Sequence, residues 1–461
     1  MKKPIASGLA MLFALMLLVG CADTNTDNVS ALSLSSSYEI TAVLDPYGKI
    51  LEHTTHVQVQ NNGQNSTKEL YFHLYGNLYK SESEGIEVIS VVNDKDTALP
   101  HEMKDNDQLI LLTLIDALAP GERATIIFSC RVTIPAVESI YGISRDGEIH
   151  LPFFYPELAM FDNNGWNTKS LAQHGDGRYL AVSDYVFTIQ VPSEYEVACN
   201  GIELATVSNK GQTTYTFQAN QRRELVFTAF TDYVRLKRSV QDTEIFGYFN
   251  ERFHSLSDME NAMDAAVLSM EYYNRIYMDY PFETLVITNG AWGRTPVSME
   301  YSGFFTVWQM SGVEGMMTVF HEMAHQWFYF LVGNNEYTEP WLDEAFATFS
   351  AQLCLKAAGY VESYDTWWEI YKIMSDTMNN RAVNVGYDDT DNPLSLFYGR
   401  GATFLKELMY MIGEDEFVSI LSEYCTTYAF EFASTEGFLT LVRERVTVDI
   451  DSIIDEYVVI N

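Results

Sequence analysis

From Ser37 to about Lys237 apolar and polar residues alternate in short runs, as in "THVQVQNNGQ", "ERATIIFSCRVTIP", "DYVFTIQVP" and "RRELVFTAF". Period-two runs rich in Val, Ile, Phe and Thr, bounded by Asn-Gly, Pro-Gly and Pro, predict antiparallel strands. Near Thr243 the pattern changes. A strand-like "TEIFGYF" precedes "SLSDMENAMDAAVLSMEYYNRIY", where Ser257 and Glu260 match a capping box that opens a helix. "TLVITNG" again reads as a strand. Long helical patterns follow at about Gly315–Phe330, Pro340–Ala358, Ser363–Met378 and Gly401–Met411, and helices continue to the end. The expected class is α+β with two domains: a β-sandwich-like antiparallel domain over residues 38–238 and a mainly helical domain over 239–461.

The first residues lie outside this pattern. Lys2 and Lys3 precede an apolar run from Ile5 to Val19, so residues 1–20 read as a secretory signal too short to span a membrane comfortably. Leu18-Val19-Gly20-Cys21 resembles the lipobox of bacterial lipoproteins, which makes Cys21 the expected lipidation site. The polar stretch to Ser37 reads as a tether, so residues 21–37 would form a lipidated, flexible link and the protein would sit outside the cytoplasm, anchored to a bacterial membrane.

Roughly 425 residues then remain, enough for two or three cores. A hydrophobic content of 47% and an aromatic content of 14% exclude disorder for most of them. A net charge of -35 repels nucleic acid and anionic headgroups alike, which leaves the lipid as the only expected membrane contact. Cys130, Cys199, Cys354 and Cys425 show no C-x-x-C spacing and read mostly as buried thiols, although an exported protein could pair some of them.

Candidate chemistry concentrates in "HEMAHQWF", His321 to Phe328. His321 and His325 fall one turn apart on one helix face, a spacing that lets both imidazoles bind one metal ion. Glu322 stands where zinc peptidases of the H-E-x-x-H type keep their general base. A helix with two incidental histidines gives the same five letters, so the third ligand matters. A catalytic zinc site takes three protein ligands and keeps a fourth position for water. Only His254 lies elsewhere in the second half, in the polar "ERFHSLSD". "EPWLDEAFATF" instead offers Glu344 on a second helix, returned over the first by a turn at Gly333-Asn334-Asn335. Asp343, one residue away, is expected on a different face. Walker, Rossmann and G-x-S-x-G patterns are missing from the sequence.

"HEMAHQWFYFLVGNNEYTEPWLDEAFATF" resembles the zinc core of the gluzincin aminopeptidases, the aminopeptidase N family. Asp343 and Ala345 stand where that family usually has Asn and Gly. "PVSMEYSGFF" resembles the family's G-x-M-E-N segment, and "FYGRGATFLKEL" its Y-x-K-G-A block. The first half, with "LYFHLYGNLYKS" and "DYVFTIQVPSEYEVACNG", is similar to the family's N-terminal β-domain, so the likeness covers nearly all of the mature chain.

The resemblance implies a thermolysin-like catalytic domain with one zinc ion on His321, His325 and Glu344 and Glu322 as base. It implies Tyr398 as an oxyanion donor, with Arg400 in the place of the family's lysine. Glu300 would hold the amino group of a peptide with a free N-terminus, with Met299 beside it as pocket wall; Tyr301 replaces the usual Asn. Trp327 reads as packing. The sequence ends at Asn461, soon after "DIDSIIDEYVVIN", so the helical C-terminal domain of larger members is expected to be absent and the cleft open or closed by a partner. Pocket shape would depend on loops such as "NGAWGRTPVS". The implied activity is release of N-terminal residues. A zinc endopeptidase and a non-catalytic peptide-binding or sensory lipoprotein remain alternatives. Side-chain preference and oligomeric state are not legible.

Overall fold

The computed structural model describes residues 33–80, 84–136, 140–145, 147–169, 177–290 and 297–459. The signal, Cys21 and most of the tether lie outside these residues, as do residues 291–296 of the "NGAWGRTPVS" loop.

Most of the alternating runs of the first half form two facing sheets, and Val226–Phe230 joins a further four-stranded sheet with Glu196–Cys199, Ile149–Pro152 and Gly142–Ile143. Seven strands lie in the order Ile202–Asn209, Gln212–Arg222, Ser183–Pro192, Leu34–Asp45, Ile50–Asn61, Arg123–Thr133 and Gly85–Asn93. Inward residues of this sheet, including Ile40, Val57, Phe128 and Phe187, meet Leu70, Phe72, Ile110 and Leu112 of a four-stranded sheet in one core. Strict in–out alternation supplies that core, as in the pattern of Leu34–Asp45, where every second residue from Tyr38 to Leu44 is buried. The large sheet departs from the expected all-antiparallel pairing. Leu34–Asp45 runs parallel to Ser183–Pro192, because the intervening chain crosses to the other layers and re-enters in the same direction.

The expected boundary at 238/239 falls inside a strand. Val234–Val240 pairs with Thr243–Phe249 as a hairpin edge of a separate, five-stranded sheet, so the second domain begins by residue 234. A two-residue turn joins these strands, and local pairing outweighs the change in residue pattern that follows Thr243. The sheet continues through Thr284–Asn289 and Phe304–Val307 to the edge strand Met299–Tyr301.

Helix α1 (Leu256–Ile276) is capped by Ser255 and Asp258 rather than Ser257 and Glu260. The Ser255 hydroxyl accepts from the Asp258 amide, and the Asp258 carboxylate accepts from the Ser255 amide. Helices α2 (Gly312–Ala324), α3 (Trp341–Ala357), α4 (Val361–Thr377), α5 (Ala402–Ile412), α6 (Glu414–Thr427), α7 (Thr435–Arg445) and α8 (Asp451–Tyr457) follow. They share one apolar core with α1 and the five-stranded sheet. Helix α2 stops well short of Phe330. The aromatic residues after it turn into the core, and Tyr329 takes a φ of 121°, which no helix can hold. The four cysteines are buried free thiols. Among the described residues no helix is long and apolar enough to cross a membrane.

Three histidines of the β-domain are sealed from water. Burial lowers His53 and His73 to about 4 and His150 to about 3. Because these folded values lie below the unfolded value of about 6.5, the folded state binds fewer protons, and its stability is lost as pH falls through that window. The urea-unfolding free energy should therefore drop between pH 6.5 and 4 by up to about 1.4 kcal/mol per pH unit for each such histidine. His53→Asn should flatten that slope by roughly one proton. An unchanged slope in the variant would remove His53 from the account.

Candidate metal and peptide site

The site lies where α2 and α3 cross beneath the edge strand Met299–Tyr301. His321 is in the last turn of α2, and His325 caps the helix in right-handed geometry, so the one-turn spacing survives to its end. A turn through Gly333 and Asn334 leads to α3, which carries Glu344 in its first turn. Donor atoms of His321, His325 and Glu344 all fall within 4.8 Å of one another. Between the two histidines, Nε2 to Nε2 is 3.0 Å; Glu344 Oε2 is 3.3 Å from His321 Nε2 and 3.6 Å from His325 Nε2. A tetrahedral ion with ligand bonds of about 2.0–2.2 Å places its donors about 3.4 Å apart, so this triangle has the dimensions of one metal's coordination edge.

The acceptors behind His325 fix which of its lone pairs faces inward. His325 Nδ1 lies 2.5 Å from Asp343 Oδ1 and 3.2 Å from the Phe328 carbonyl, and both of these are acceptors. Nδ1 therefore carries the proton and Nε2 keeps its lone pair for the centre. Asp343 was expected on another face of α3. The crossing of the helices brings it under His325 while Glu344 reaches Nε2 from the side, so adjacent residues serve one ring from two directions. Burial works to lower His325, but the charges of Asp343 and Glu300 outweigh it and raise the group well above the ordinary imidazole range. Burial also pushes Asp343 up to about 7, opposed by the His325 ring. His321 is lowered, chiefly by burial.

Tyr398 sits on a π-helical segment, Leu394–Gly401, that leads into α5. Its hydroxyl donates to Glu344 Oε1, and its ring stacks on His321 with centroids 5.6 Å apart. Gly401 allows this approach: a Cβ there would meet the Ala345 Cβ at 2.6 Å. Position 345 therefore packs an alanine methyl against a glycine. Arg400 is buried away from the centre, where it donates to the Arg381 and Glu456 carbonyls and lies over the Tyr457 ring. Glu322 is buried on α2 beside His321, 100° round the helix. Trp327 is fully buried and donates to the Met278 carbonyl. His254 stays outside the cluster.

Glu300 and Tyr301 are buried on the edge strand, and Met299 beside them is half-buried. Gln326, directly after the second histidine, ties that strand to α2: its Nε2 donates to the Tyr301 carbonyl, and its Oε1 accepts from the Gly303 amide. Glu300 pairs with Arg178, a residue of the N-terminal domain that sequence reasoning did not single out. Its lone basic charge in "HGDGRYL" gave no signal of a role. Tyr301, in the place of the family's usual Asn, reaches His150 of the same domain at 3.2 Å.

Residues 309–457 match the model of the Peptidase family M1 domain. This stretch carries the metal-type cluster, Asp343 and Tyr398. Over this stretch the chain is similar to peptidase family M1 domains.

It is 26% identical over 215 residues to Aminopeptidase M1-C of Oryza sativa subsp. japonica, covering 40% of this chain and 23% of that protein. It is 29% identical over 144 residues to Aminopeptidase N of Streptomyces lividans, covering 28% of this chain and 16% of that protein. The matches thus span less than a quarter of these relatives' own length. The fold is shared over almost the whole described chain with the M1 zinc metallopeptidase of Deinococcus radiodurans. That match has a TM-score of 0.68 at 17% identity and covers 92% of each chain. A mutant of that metallopeptidase bound to a Tyr-Ser-Ala substrate matches with a TM-score of 0.69 at 16% identity, covering 92% of this chain and 94% of that one. The N-terminal β-rich domain followed by a helical domain is the arrangement of these M1 structures.

The Asp343 contact is open to test by metal binding. Asp343→Ala should weaken divalent-metal affinity about 10- to 100-fold in chelator competition, the usual cost of losing a carboxylate behind a ligating histidine. Asp343→Asn keeps an acceptor oxygen and should lose less. Equal affinity in all three proteins would show the contact to be idle.

Proposed function

We propose that the protein is a zinc-dependent aminopeptidase that releases N-terminal residues from peptides. The observation that carries this reading is the triangle of His321, His325 and Glu344 donors, held by Asp343 within an M1 domain. Two imidazoles and a carboxylate suit zinc, which would displace any proton on the ligating nitrogens, and the donor spacing fits one ion. Zinc bound there would supply Lewis acidity, activating water near neutral pH and polarising a carbonyl.

The chain's own groups have these parts in the reaction. Glu322 takes the proton of the attacking water and passes it to the leaving amine. The Tyr398 hydroxyl, which donates to Glu344 before substrate arrives, turns its proton toward the oxyanion that develops at the scissile carbonyl. Glu300 accepts the substrate's terminal ammonium by charge-assisted hydrogen bonds, with Met299 as part of the pocket wall. The substrate complex of the Deinococcus radiodurans metallopeptidase and the aminopeptidase names of the relatives support a peptide substrate with a free N-terminus. An endopeptidase would share the metal chemistry but ignore the N-terminus. A binding protein would have no use for Glu322 and Tyr398 at a metal.

We also propose that the protein is exported and held to the outer side of a bacterial membrane by lipid on Cys21, with no nucleic-acid partner. Lys2, Lys3, the apolar run and the Leu18-Val19-Gly20-Cys21 sequence support this, as does the net charge of -35. Cys21→Ala should release the protein from the membrane fraction and abolish its labelling by a fatty-acid probe. Undiminished labelling would exclude Cys21.

Matched peptides with free or acetylated N-termini test the activity. The zinc-loaded protein should cleave the free peptides and spare the acetylated ones, and chelation should stop turnover until zinc is restored. Glu322→Gln should keep its metal yet lose at least about 100-fold in kcat, the scale of general-base loss. Equal cleavage of acetylated peptides would make the protein an endopeptidase.

A further inference from the structure

We propose that Arg178, supplied by the N-terminal domain, is the positioning residue that sets the orientation and net charge of Glu300, and so makes a free N-terminus a requirement. This rests on Glu300 as the amine anchor.

Arg178 is fully buried, with its side chain only 2% exposed, and it works as a fork. One terminal nitrogen donates to Glu300 Oε1 and the other to the Glu300 carbonyl at 3.2 Å, so carboxylate and backbone of one residue are held together. Its Nε lies 3.5 Å from Glu336 Oε2. Glu336 stands in the turn between α2 and α3, and the two residues also grip each other's backbone. The Arg178 amide donates to Glu336 Oε2 at 3.0 Å, and the Glu336 amide donates to the Arg178 carbonyl at 3.1 Å. The guanidinium rests on the Tyr329 ring, 4.3 Å from its centroid. Tyr329 is the residue held at a φ of 121°, strain that persists only where its surroundings fix it; its hydroxyl donates to buried Glu224.

Two consequences follow from charge and geometry. A buried guanidinium shared between the Glu300 and Glu336 carboxylates offsets only part of their charge, so negative charge is left for a terminal ammonium to neutralise. A carboxylate also offers about four lone-pair sites, so Glu300 can keep Arg178 and still accept an ammonium, now in one fixed rotamer. The strand that carries Glu300 is tied to the end of α2, next to His325, by the two hydrogen bonds of Gln326. An amine held there lies within reach of the groups that cut the first peptide bond. Lysine cannot copy this arrangement, because a point charge does not span the Glu300 carboxylate, its carbonyl and Glu336 together.

The test uses the full mature chain loaded with zinc, with Arg178→Lys, Arg178→Gln and Glu300→Gln, on free and acetylated peptide pairs. In Arg178→Lys, KM for free peptides should rise about 10-fold while kcat stays within about threefold, the signature of lost ground-state anchoring. Arg178→Gln should lose more, and the free-to-acetylated ratio of kcat/KM should fall in both. Adding Glu300→Gln to Arg178→Lys should cost little beyond Glu300→Gln alone, since the two residues would act as one unit. If the wild type prefers free peptides but folded, zinc-replete Arg178 variants keep its KM and ratio, this proposal falls and the aminopeptidase reading stands. A uniform loss of kcat and zinc would mean a merely structural role and overturn it equally. If the wild type shows no preference, both fall. Should Arg178→Gln not fold, Arg178→Lys decides on the same readouts.

Discussion

Three lone-pair donors crowded into one buried triangle are the constraint around which the second domain is arranged. His321 Nε2, His325 Nε2 and Glu344 Oε2 stand 3.0–3.6 Å apart. Such crowding is unfavourable without a cation and favourable with one, because buried acceptors need a partner. Everything adjacent restricts their movement. Asp343 locks one imidazole, Tyr398 holds the free side of the carboxylate, and Gln326 ties the end of α2 to the edge strand. Helix α2 ends at the second histidine, so the WFYF run can enter the core and pin the helix end from below.

The N-terminal domain takes part in this arrangement. Arg222, Arg223 and Glu224, read from sequence as the start of a strand, project into the second domain. The Arg222 guanidinium lies 3.6 Å over the Phe282 ring. Arg223 donates to the carbonyls of Phe330 and Leu180, and Glu224 accepts from the Ser302 amide and the Tyr329 hydroxyl. These contacts surround the strand that carries Glu300.

What was legible in the sequence follows from range. The His321–His325 pair is a local helical repeat, and Glu344 one turn-and-return away, so spacing alone reaches them. The alternation from Ser37 onward reports burial on one sheet face and is equally local. Asp343 does point away from the triangle, as a one-residue step implies, but its bond to His325 Nδ1 depends on the crossing of α2 and α3, which spacing does not report. Arg178 and Glu336 are 158 residues apart, and no periodicity connects them. The boundary was misplaced because Val234–Val240 alternates like the strands before it; which sheet a strand joins depends on its partner, and that partner comes after it. The helix end after His325 was hidden because buried aromatics suit a helix and a core turn equally.

The two domains are also coupled energetically. Arg178, Arg222, Arg223, Glu224, Glu300 and Glu336 are all buried, and their partners lie largely across the domain junction. Removing one partner of a buried ion pair typically costs about 3–5 kcal/mol, because it strands a desolvated charge. Separating the domains would strand several at once. It would also remove Arg178 from Glu300, while the strand of Glu300 stays paired in its own sheet and tied to α2. The metal-type triangle is therefore a property of the second domain, whereas the Glu300–Arg178 pair beside it is a property of both domains. Chemistry built on the triangle tolerates a shift of the β-domain better than recognition built on Glu300 does.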